Sequence, residues 1–289
     1  MINNYKIKLF SSLVSIKIER IFINFICGLL PSKNLRHKLR KKSGASIINY
    51  IDKYSPQSYS LKETIKLLQD GYSISRFGDG EFSFIINKNI DKKTKKVIIN
   101  NVGIQNNNLI REKLKYILLN NDVDKLLIGI PKLEGGCAFG YGNVICKCLS
   151  QGLFINYDKN IKYANSLISR LDGFKFCDLS EYKKIWNNKK VVFIRSIDGK
   201  FWLDDRLFDN IAEKKFIDIP SCNAFSEYDR ILTEARIYSK DYIFFVSAGF
   251  TASVLAYDLS KLGYQVLDFG HLTACYREFL GELSAPEKI

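Results

Sequence analysis

The strongest constraint on the fold is a strand–helix–strand pattern near the C-terminus. Residues 242–247 are almost entirely apolar, residues 251–262 have helical periodicity before Gly263, and residues 264–269 form a second apolar run. Parallel strands need a crossover of this kind, and buried parallel strands are apolar on both faces. The pattern therefore predicts an α/β fold, with a mostly parallel sheet flanked by helices and related to the Rossmann fold.

The preceding chain continues the alternation of strands and helices. The length of 289 residues suits one large domain with a sizeable core. Ser60-Leu-Lys-Glu63 is a capping-box sequence, which predicts where the first helix of this domain begins. Further strands are predicted at residues 72–77, 125–130, 190–197 and 215–219.

Positive charge is concentrated at the N-terminus. The net charge is +14, and the first 42 residues hold ten Lys or Arg residues against one acid, Glu19. The rest of the chain is only mildly basic. A nucleic-acid-binding domain is expected to carry its basic surface on the folded part. We therefore predict no nucleic-acid partner.

The N-terminal segment has the pattern of a basic amphipathic helix. Apolar residues recur at helical spacing, and a basic cluster at residues 33–42 follows Pro31. The apolar positions are Phe10, Val14, Ile18, Ile21 and Phe25. Such a helix either lies on an anionic bilayer or docks on the protein's own core beside a solvated basic tail. We predict a membrane-surface segment at 1–42, a linker at 43–58 and the main domain at 59–289.

Cysteine usage favours a reducing compartment. The seven cysteines form no Cys-x-x-Cys pair, and only two histidines are present. Free thiols in the cytoplasm are the simplest account, and a structural zinc site is not expected.

The first candidate site is the sequence Arg76-Phe-Gly-Asp-Gly-Glu81, which follows a predicted strand. Gly78 and Gly80 permit unusual backbone angles in a tight turn. Asp79 and Glu81 are hard oxygen ligands that suit Mg²⁺ or Mn²⁺ together with phosphate oxygens, and Arg76 would lie beside the same phosphates. The alternative is an ordinary surface turn, in which Asp and Gly are simply turn formers.

Three further strand ends carry candidate binding residues. Gly249 and Thr251 open a helix whose N–H groups would accept a phosphate, or they form an ordinary helix cap. His271 follows the last strand and either binds metal or phosphate or is a buried, hydrogen-bonded histidine. Asn223 and Tyr228 would contact a base or a sugar, unless the aromatic ring belongs to the core.

Several of these motifs occur together in a familiar order. They are Arg76-Phe-Gly-Asp-Gly-Glu81, Pro220-x-x-Asn-Ala-Phe-x-x-Tyr228, Ala248-Gly-x-Thr-Ala252 and Asp268-x-Gly-His271. The combination resembles the bacterial glycosyltransferases of the GT-D fold over about residues 60–280. It implies a GT-D-like sheet and transfer of a sugar to surface glycans or glycosylated adhesins.

The resemblance also implies a nucleotide-sugar donor, a UDP-sugar, and a Mn²⁺ or Mg²⁺ ion that joins Asp79 and Glu81 to the diphosphate. The acceptor would be a glycan or a lipid-linked glycan in surface polysaccharide or glycoprotein biosynthesis, at the inner face of the bacterial cell membrane. The family's acids after the Gly-His motif are replaced by Thr273 and Cys275, so Glu278 becomes the candidate base. The candidate donor-binding residues are Arg76, Phe77, Gly78, Gly80, Asn223, Tyr228, Gly249, Thr251 and His271.

Two other functions use the same features. A metal-dependent phosphohydrolase would use the two carboxylates and a metal-bound water, although the shortage of histidines argues against a two-metal site. A non-catalytic adaptor on the membrane surface would need residues 1–42 and would tolerate loss of both acids.

Overall fold

A computed structural model describes the chain in five stretches. They are residues 2–86, 99–100, 102–132, 142–199 and 201–282. The chain divides into two compact units. The sheet unit contains residues 58–77, 89–131 and 158–289, and the helical unit contains residues 1–57, 78–88 and 132–157.

The described part of the sheet unit is organised around seven parallel strands. Their order across the sheet is β3-β2-β1-β7-β6-β4-β5. The strands are β1 (Ser73–Arg76), β2 (Leu126–Ile130), β3 (Tyr163–Asn165), β4 (Lys190–Arg195), β5 (Glu213–Asp218), β6 (Tyr242–Ser247) and β7 (Gln265–Asp268). The predicted α/β fold with a mostly parallel sheet is confirmed.

The helices alternate with these strands along the chain. In the helical unit they are α1 (Ile2–Leu29), α2 (Lys33–Tyr54), α4 (Asp79–Ile86) and α6 (Gly142–Ser150). In the sheet unit they are α3 (Leu61–Gln69), α5 (Asn107–Asn120), α7 (Leu171–Phe176), α8 (Leu179–Trp186), α9 (Asp205–Phe208), α10 (Tyr228–Ala235), α11 (Phe250–Lys261) and α12 (Leu272–Phe279). Within the described residues, none of the helices combines the length and the apolar character needed to cross a membrane.

Helix α3 begins at the predicted capping box. The Glu63 side chain accepts a hydrogen bond from the Ser60 N–H at 2.7 Å, and Ser60 Oγ accepts one from the Glu63 N–H at 3.3 Å. The two side chains thus satisfy amides that the first helical turn leaves without partners.

Both faces of the sheet are buried over its central strands, as the apolar sequences predicted, whereas the edge strand β5 is largely exposed. Side chains alternate between the faces, so Phe244 and Val246 enter one apolar cluster with α10 and α11. Phe245 points to the opposite face, where its ring lies 5.5 Å from that of Phe193 and 6.0 Å from that of Trp186. This double coverage explains the continuous apolar sequence of β6.

The expected linker is helical over most of its length. Residues 43–54 belong to α2, where Ile47, Tyr50 and Ile51 are buried in the helical unit. Their spacing is that of one helix face, which outweighs the Ser and Gly residues that suggested a loop. The predicted domain boundaries themselves stay a prediction.

Gly173 in α7 is a position that admits no side chain. A Cβ there would overlap the carbonyl oxygen of Ile168 and the hydroxyl of Tyr182. These two groups are themselves joined by a 2.6 Å hydrogen bond, so neither can move away without breaking it.

We expect Gly173→Ala to lower the free energy of unfolding by about 3 kcal/mol, because overpacking forces a buried backbone and ring apart. Urea unfolding followed by circular dichroism would measure this. Gly28→Ala is the control, since no atom lies within 4 Å of its added Cβ, and it should be neutral or slightly stabilising. Equal stability of the two variants would contradict the packing at Gly173.

Candidate functional site

The carboxyl ends of the strands meet at one edge of the sheet, which is where ligands of such folds bind. Arg195 of β4 pairs with Ser247 of β6, and Val246 pairs with Asp268 of β7. These three strands therefore end at nearly the same level. Of the candidate residues, Asn223, Gly249, Thr251 and His271 follow strands of this sheet in sequence, each within five residues of a strand end.

A buried ion pair joins β1 to β7 at this edge. The Arg76 N–H donates to Asp268 Oδ2 at 2.9 Å, and Arg76 Nη2 lies 3.4 Å from Asp268 Oδ1. Arg76 Nε also donates to the Asp268 carbonyl oxygen. The side chains are only 10% and 6% exposed. The guanidinium thus has protein partners here, and its predicted contact with a donor phosphate stays a prediction.

Ser253 of α11 completes this ion-pair cluster. Its hydroxyl lies 2.9 Å from the Arg76 carbonyl oxygen and 3.3 Å from Asp268 Oδ2. Burial raises the pKa of Asp268, and the positive charge of Arg76 opposes that rise. Sequence reasoning assigned no role to Asp268 or Ser253, although a charged residue ending an apolar strand was a signal.

The loop between β6 and α11 contains a glycine in an unusual backbone conformation. Gly249 has φ +56° and ψ −137°, a conformation that side chains disfavour. The sequence predicted N–H groups at the start of α11 that would bind a phosphate. Those of Thr251 and Ala252 instead donate to the carbonyl oxygens of Ala248 and Gly249. Within the described residues, however, the buried Thr251 hydroxyl has no hydrogen-bond partner.

A second buried hydroxyl lies at the start of α12. Thr273 is fully buried, and its Oγ1 has no partner among the residues that the structure describes. His271 is exposed and occupies the cap position of this helix. Buried polar atoms without partners are rare and require an explanation, such as a bound group. Thr273 was not among the predicted donor-binding residues, because a single Thr in a helix carries no sequence signal.

The two acids of the first candidate site lie in a helix and not in the predicted tight turn. Asp79 and Glu81 occupy the first turn of α4, and Gly80 lies inside the helix. Neither Gly78 nor Gly80 has a positive φ. Acidic side chains stabilise the N-terminus of a helix, and Asp79 and Glu81 lie there. Because Phe82, Phe84 and Ile85 also bury an apolar face, this sequence forms a helix directly after the strand.

Asp79 and Glu81 place two carboxylates in the first turn of α4. Glu81 Oε2 accepts a hydrogen bond from the Gly78 N–H at 2.9 Å, which orients the carboxylate, and Asp79 is exposed. In the described stretches, no group of three or more His, Cys, Asp or Glu side chains is placed to hold a metal. Two carboxylates would leave the remaining positions to phosphate oxygens and water, as is usual for Mg²⁺.

Asn223 adopts a strained backbone conformation after β5. Its φ is +54°, and its N–H donates to the carbonyl oxygen of Asn100. Asn223 Oδ1 has no hydrogen-bond partner within the described residues, and a Cβ on Gly103 would lie 2.9 Å from it. Strain and an orphan acceptor are typical of functional positions.

Tyr228 is fixed by other side chains. Its hydroxyl donates to Asp258, and Lys113 Nζ lies 2.6 Å from the same carboxylate. Burial is the main reason that the pKa of Tyr228 is raised, and the hydrogen bond to Asp258 raises it as well. These contacts join α5, α10 and α11, so the alternative interpretation of Tyr228 as a packing residue is the one its contacts favour. Its contact with the donor stays a prediction.

The side chain of the candidate base, Glu278, is half-buried on α12. Phe77, a candidate donor-binding residue, is completely buried. Another carboxylate, Asp204, is held by Arg206 at 2.7 Å and by Arg277 at 3.3 Å. The hydrogen bond from Arg206 is the main reason that the pKa of Asp204 falls to about 2. So low a pKa makes Asp204 a poor proton acceptor, and Glu278 stays the candidate base.

We expect Asp268→Asn to lower the free energy of unfolding by about 3–5 kcal/mol, because it leaves the Arg76 guanidinium buried without a counter-charge. Guanidinium chloride unfolding would measure the loss. The control is Asp124→Asn, which breaks the exposed pair with Lys162 and should cost less than about 1 kcal/mol. If both variants unfold alike, the buried pair does not hold this edge of the sheet together.

The chain is similar to known glycosyltransferases in sequence and in structure. A family model described as "Glycosyltransferase GT-D fold" matches residues 74–289. A probable glycosyl transferase, Gly, of Streptococcus gordonii is 25% identical over 238 residues, which are 77% of this chain and 32% of that protein. The glycosyltransferase GlyD of Streptococcus pneumoniae serotype 4 is 34% identical over 94 residues, 32% of this chain and 12% of that protein. The chain thus spans at most about a third of these relatives.

Solved structures share the fold. A structure of domain of unknown function 1792 has a TM-score of 0.69 and 22% identity over 85% of this chain and 88% of that one. A structure of the same domain, described as having a distinct glycosyltransferase fold, has a TM-score of 0.65 and 21% identity over the same shares. A glycosyltransferase with this domain from Streptococcus sanguinis has a TM-score of 0.62 and 20% identity, covering 81% and 88%.

Proposed function

We propose that this chain, which belongs to the glycosyltransferase family with the GT-D fold, transfers a sugar from a UDP-sugar to a glycan or lipid-linked acceptor. The products would be surface polysaccharides or glycoproteins. The main support within the chain is the pair of carboxylates, Asp79 and Glu81, in the first turn of the helix that follows β1.

Asp79 and Glu81 would hold Mn²⁺ or Mg²⁺, and the ion would neutralise charge on the donor diphosphate. Glu81 is already oriented by the Gly78 N–H. A cation with only two protein carboxylates keeps positions for phosphate oxygens, which suits a donor that brings its own ligands. The proposal therefore assigns Asp79 and Glu81 to metal binding.

The start of α11 would bind a phosphate oxygen of the donor. Gly249 lets the backbone approach the ligand closely, and the Thr251 hydroxyl has no hydrogen-bond partner in the described chain. The positive end of the helix dipole favours negative charge at this point. Thr273 at the start of α12 would serve the same ligand.

Glu278 would act as the base. Its carboxylate takes the proton of the acceptor hydroxyl, the acceptor oxygen bonds to the anomeric carbon, and the bond from that carbon to the diphosphate oxygen breaks. The bonding electrons leave with the diphosphate. Helix-terminal dipoles aimed at the developing charge would lower the barrier.

The proposed location is the inner face of the bacterial cell membrane, where lipid-linked acceptors are assembled. The enzyme would be peripheral there and would use residues 1–42. The support is the concentration of positive charge in this segment.

We expect UDP together with Mn²⁺ to raise the melting temperature and the double variant Asp79→Ala, Glu81→Ala to lose that shift, because the diphosphate binds through the ion. Differential scanning fluorimetry would measure it. The control Asp124→Ala, Asp178→Ala removes two exposed carboxylates from the sheet unit and should keep the shift.

Two results would contradict the proposal, one from this experiment and one from an assay with a labelled UDP-sugar. If UDP raises the melting temperature equally without the ion and in the double variant, then the ion and the two acids have no role in binding the diphosphate. Release of inorganic phosphate without an acceptor, faster than transfer of a labelled sugar, would favour a phosphohydrolase instead.

We expect Thr251→Val to leave the free energy of unfolding unchanged or higher, since its hydroxyl has no partner in the described residues, while affinity for the donor falls about tenfold or more. Calorimetric titration with a UDP-sugar and Mn²⁺ would measure this.

The matched control is Thr64→Val. The Thr64 hydroxyl donates to the Ser60 carbonyl at 2.7 Å and accepts from the Asn165 N–H at 3.1 Å. This variant should lose stability and keep its donor affinity. The opposite pattern in the two variants would mean that the Thr251 hydroxyl does not contact the donor.

A further inference from the structure

Among its described side chains, helix α1 has two apolar faces, one packed against the helical unit and one exposed. Ile16, Ile23 and Cys27 are buried, and α1 contacts α2 and α6 within the helical unit. Cys27 Sγ also lies 3.7 Å from the Arg36 carbonyl oxygen. Among the α1 side chains that the structure describes, this buried face makes the contact with the rest of the helical unit.

The opposite face of α1 is apolar and exposed. Its six members range from 37% exposed at Val14 to 71% at Ile21, and we call them the exposed apolar face. They are Val14, Ile18, Ile21, Phe22, Phe25 and Leu29. The set includes four of the five positions in the predicted stripe, and the side chain of the fifth, Phe10, lies outside the described part of the structure.

The dimensions of the exposed apolar face suit a bilayer surface. At 100° per residue its members span a stripe about 100° wide, and from residue 14 to residue 29 it is about 22 Å long. That length is shorter than the hydrocarbon core of a bilayer. The segment from residue 14 to residue 29 also contains the charged residues Lys17 and Glu19. An apolar stripe of this kind lies along the interface instead of crossing it.

The adjoining charge identifies the kind of surface. Six Lys or Arg residues lie between positions 33 and 42, in α2, which begins four residues after α1 ends. They are Lys33, Arg36, Lys38, Arg40, Lys41 and Lys42. Clustered Lys and Arg residues of this kind attract anionic headgroups. A second copy of the chain on the same face would instead bring two identical basic clusters together, which is repulsive.

We infer that the exposed apolar face of α1, together with the basic cluster at 33–42, binds this protein to an anionic phospholipid bilayer, with α1 lying in the plane of the headgroups. The inference names the residues and the lipid chemistry for the proposed peripheral location. It rests on no particular donor or acceptor, so it can fail while sugar transfer stands, and the reverse.

Sedimentation of the full-length protein with lipid vesicles tests this surface. We expect binding to vesicles that contain phosphatidylglycerol, at least about tenfold weaker binding to pure phosphatidylcholine, and weakening by added salt. Ile21→Ser with Phe25→Ser should reduce binding by a further factor of at least about ten, because two large apolar side chains no longer enter the interface.

The matched control is Leu109→Ser with Ile237→Ser, which removes two exposed apolar side chains from the sheet unit and should leave vesicle binding intact. Far-ultraviolet circular dichroism should be the same for both double variants, since all four side chains are exposed. Equal binding by the two variants would overturn the inference.

The oligomeric state supplies the second discriminating measurement. Light scattering during size-exclusion chromatography, without lipid, should give the same mass for the wild type and for Ile21→Ser with Phe25→Ser. A wild-type dimer that this variant converts to a monomer would show that a second copy covers the face, and would overturn the inference as well.

Discussion

The buried contact between Arg76 and Asp268 is the interaction on which this edge of the sheet depends. It joins two neighbouring parallel strands at their carboxyl ends, and Ser253 ties the same carboxylate to α11. A buried ion pair gains little over a well-packed apolar pair, but removing one partner leaves an uncompensated charge. The pair therefore acts mainly by fixing geometry, and the segments that carry Gly249, Thr251 and His271 follow β7 and its neighbour β6.

Hydrogen bonding separates the candidate residues into two groups. Arg76 and Tyr228 are already satisfied by other side chains, which makes them supports of the fold in this structure. Thr251, Thr273 and Asn223 instead hold buried polar atoms with no partner in the described residues. Leaving such atoms unsatisfied costs free energy that a ligand can recover by bonding to them. The second group therefore keeps hydrogen-bonding capacity that the first group has already used.

The placement of the two acids in a helix changes how a metal would be held. In a helix, residues two apart do not face each other, so Asp79 and Glu81 project in different directions. Glu81 is turned back to the Gly78 amide, while Asp79 stays exposed. As a metal site, two carboxylates so arranged would be incomplete, and the donor's own phosphate oxygens would be needed to complete it. Metal and donor binding are thus expected to be linked.

The sequence by itself determined the parallel α/β fold, the start of α3 and the family. Apolar runs and capping residues act within a few positions of the chain, and the order of the motifs can be read directly from the sequence. It predicted a linker at residues 43–54, where Ser and Gly residues precede the buried Ile47 and Tyr50, and it predicted a turn at Asp79. Both segments are helical. Only the tertiary structure decided that Arg76 binds Asp268, 192 residues away, and that Thr251 and Thr273 are buried without partners among the residues it describes. Such contacts depend on which strands become neighbours, and strand order is set by packing of the whole sheet.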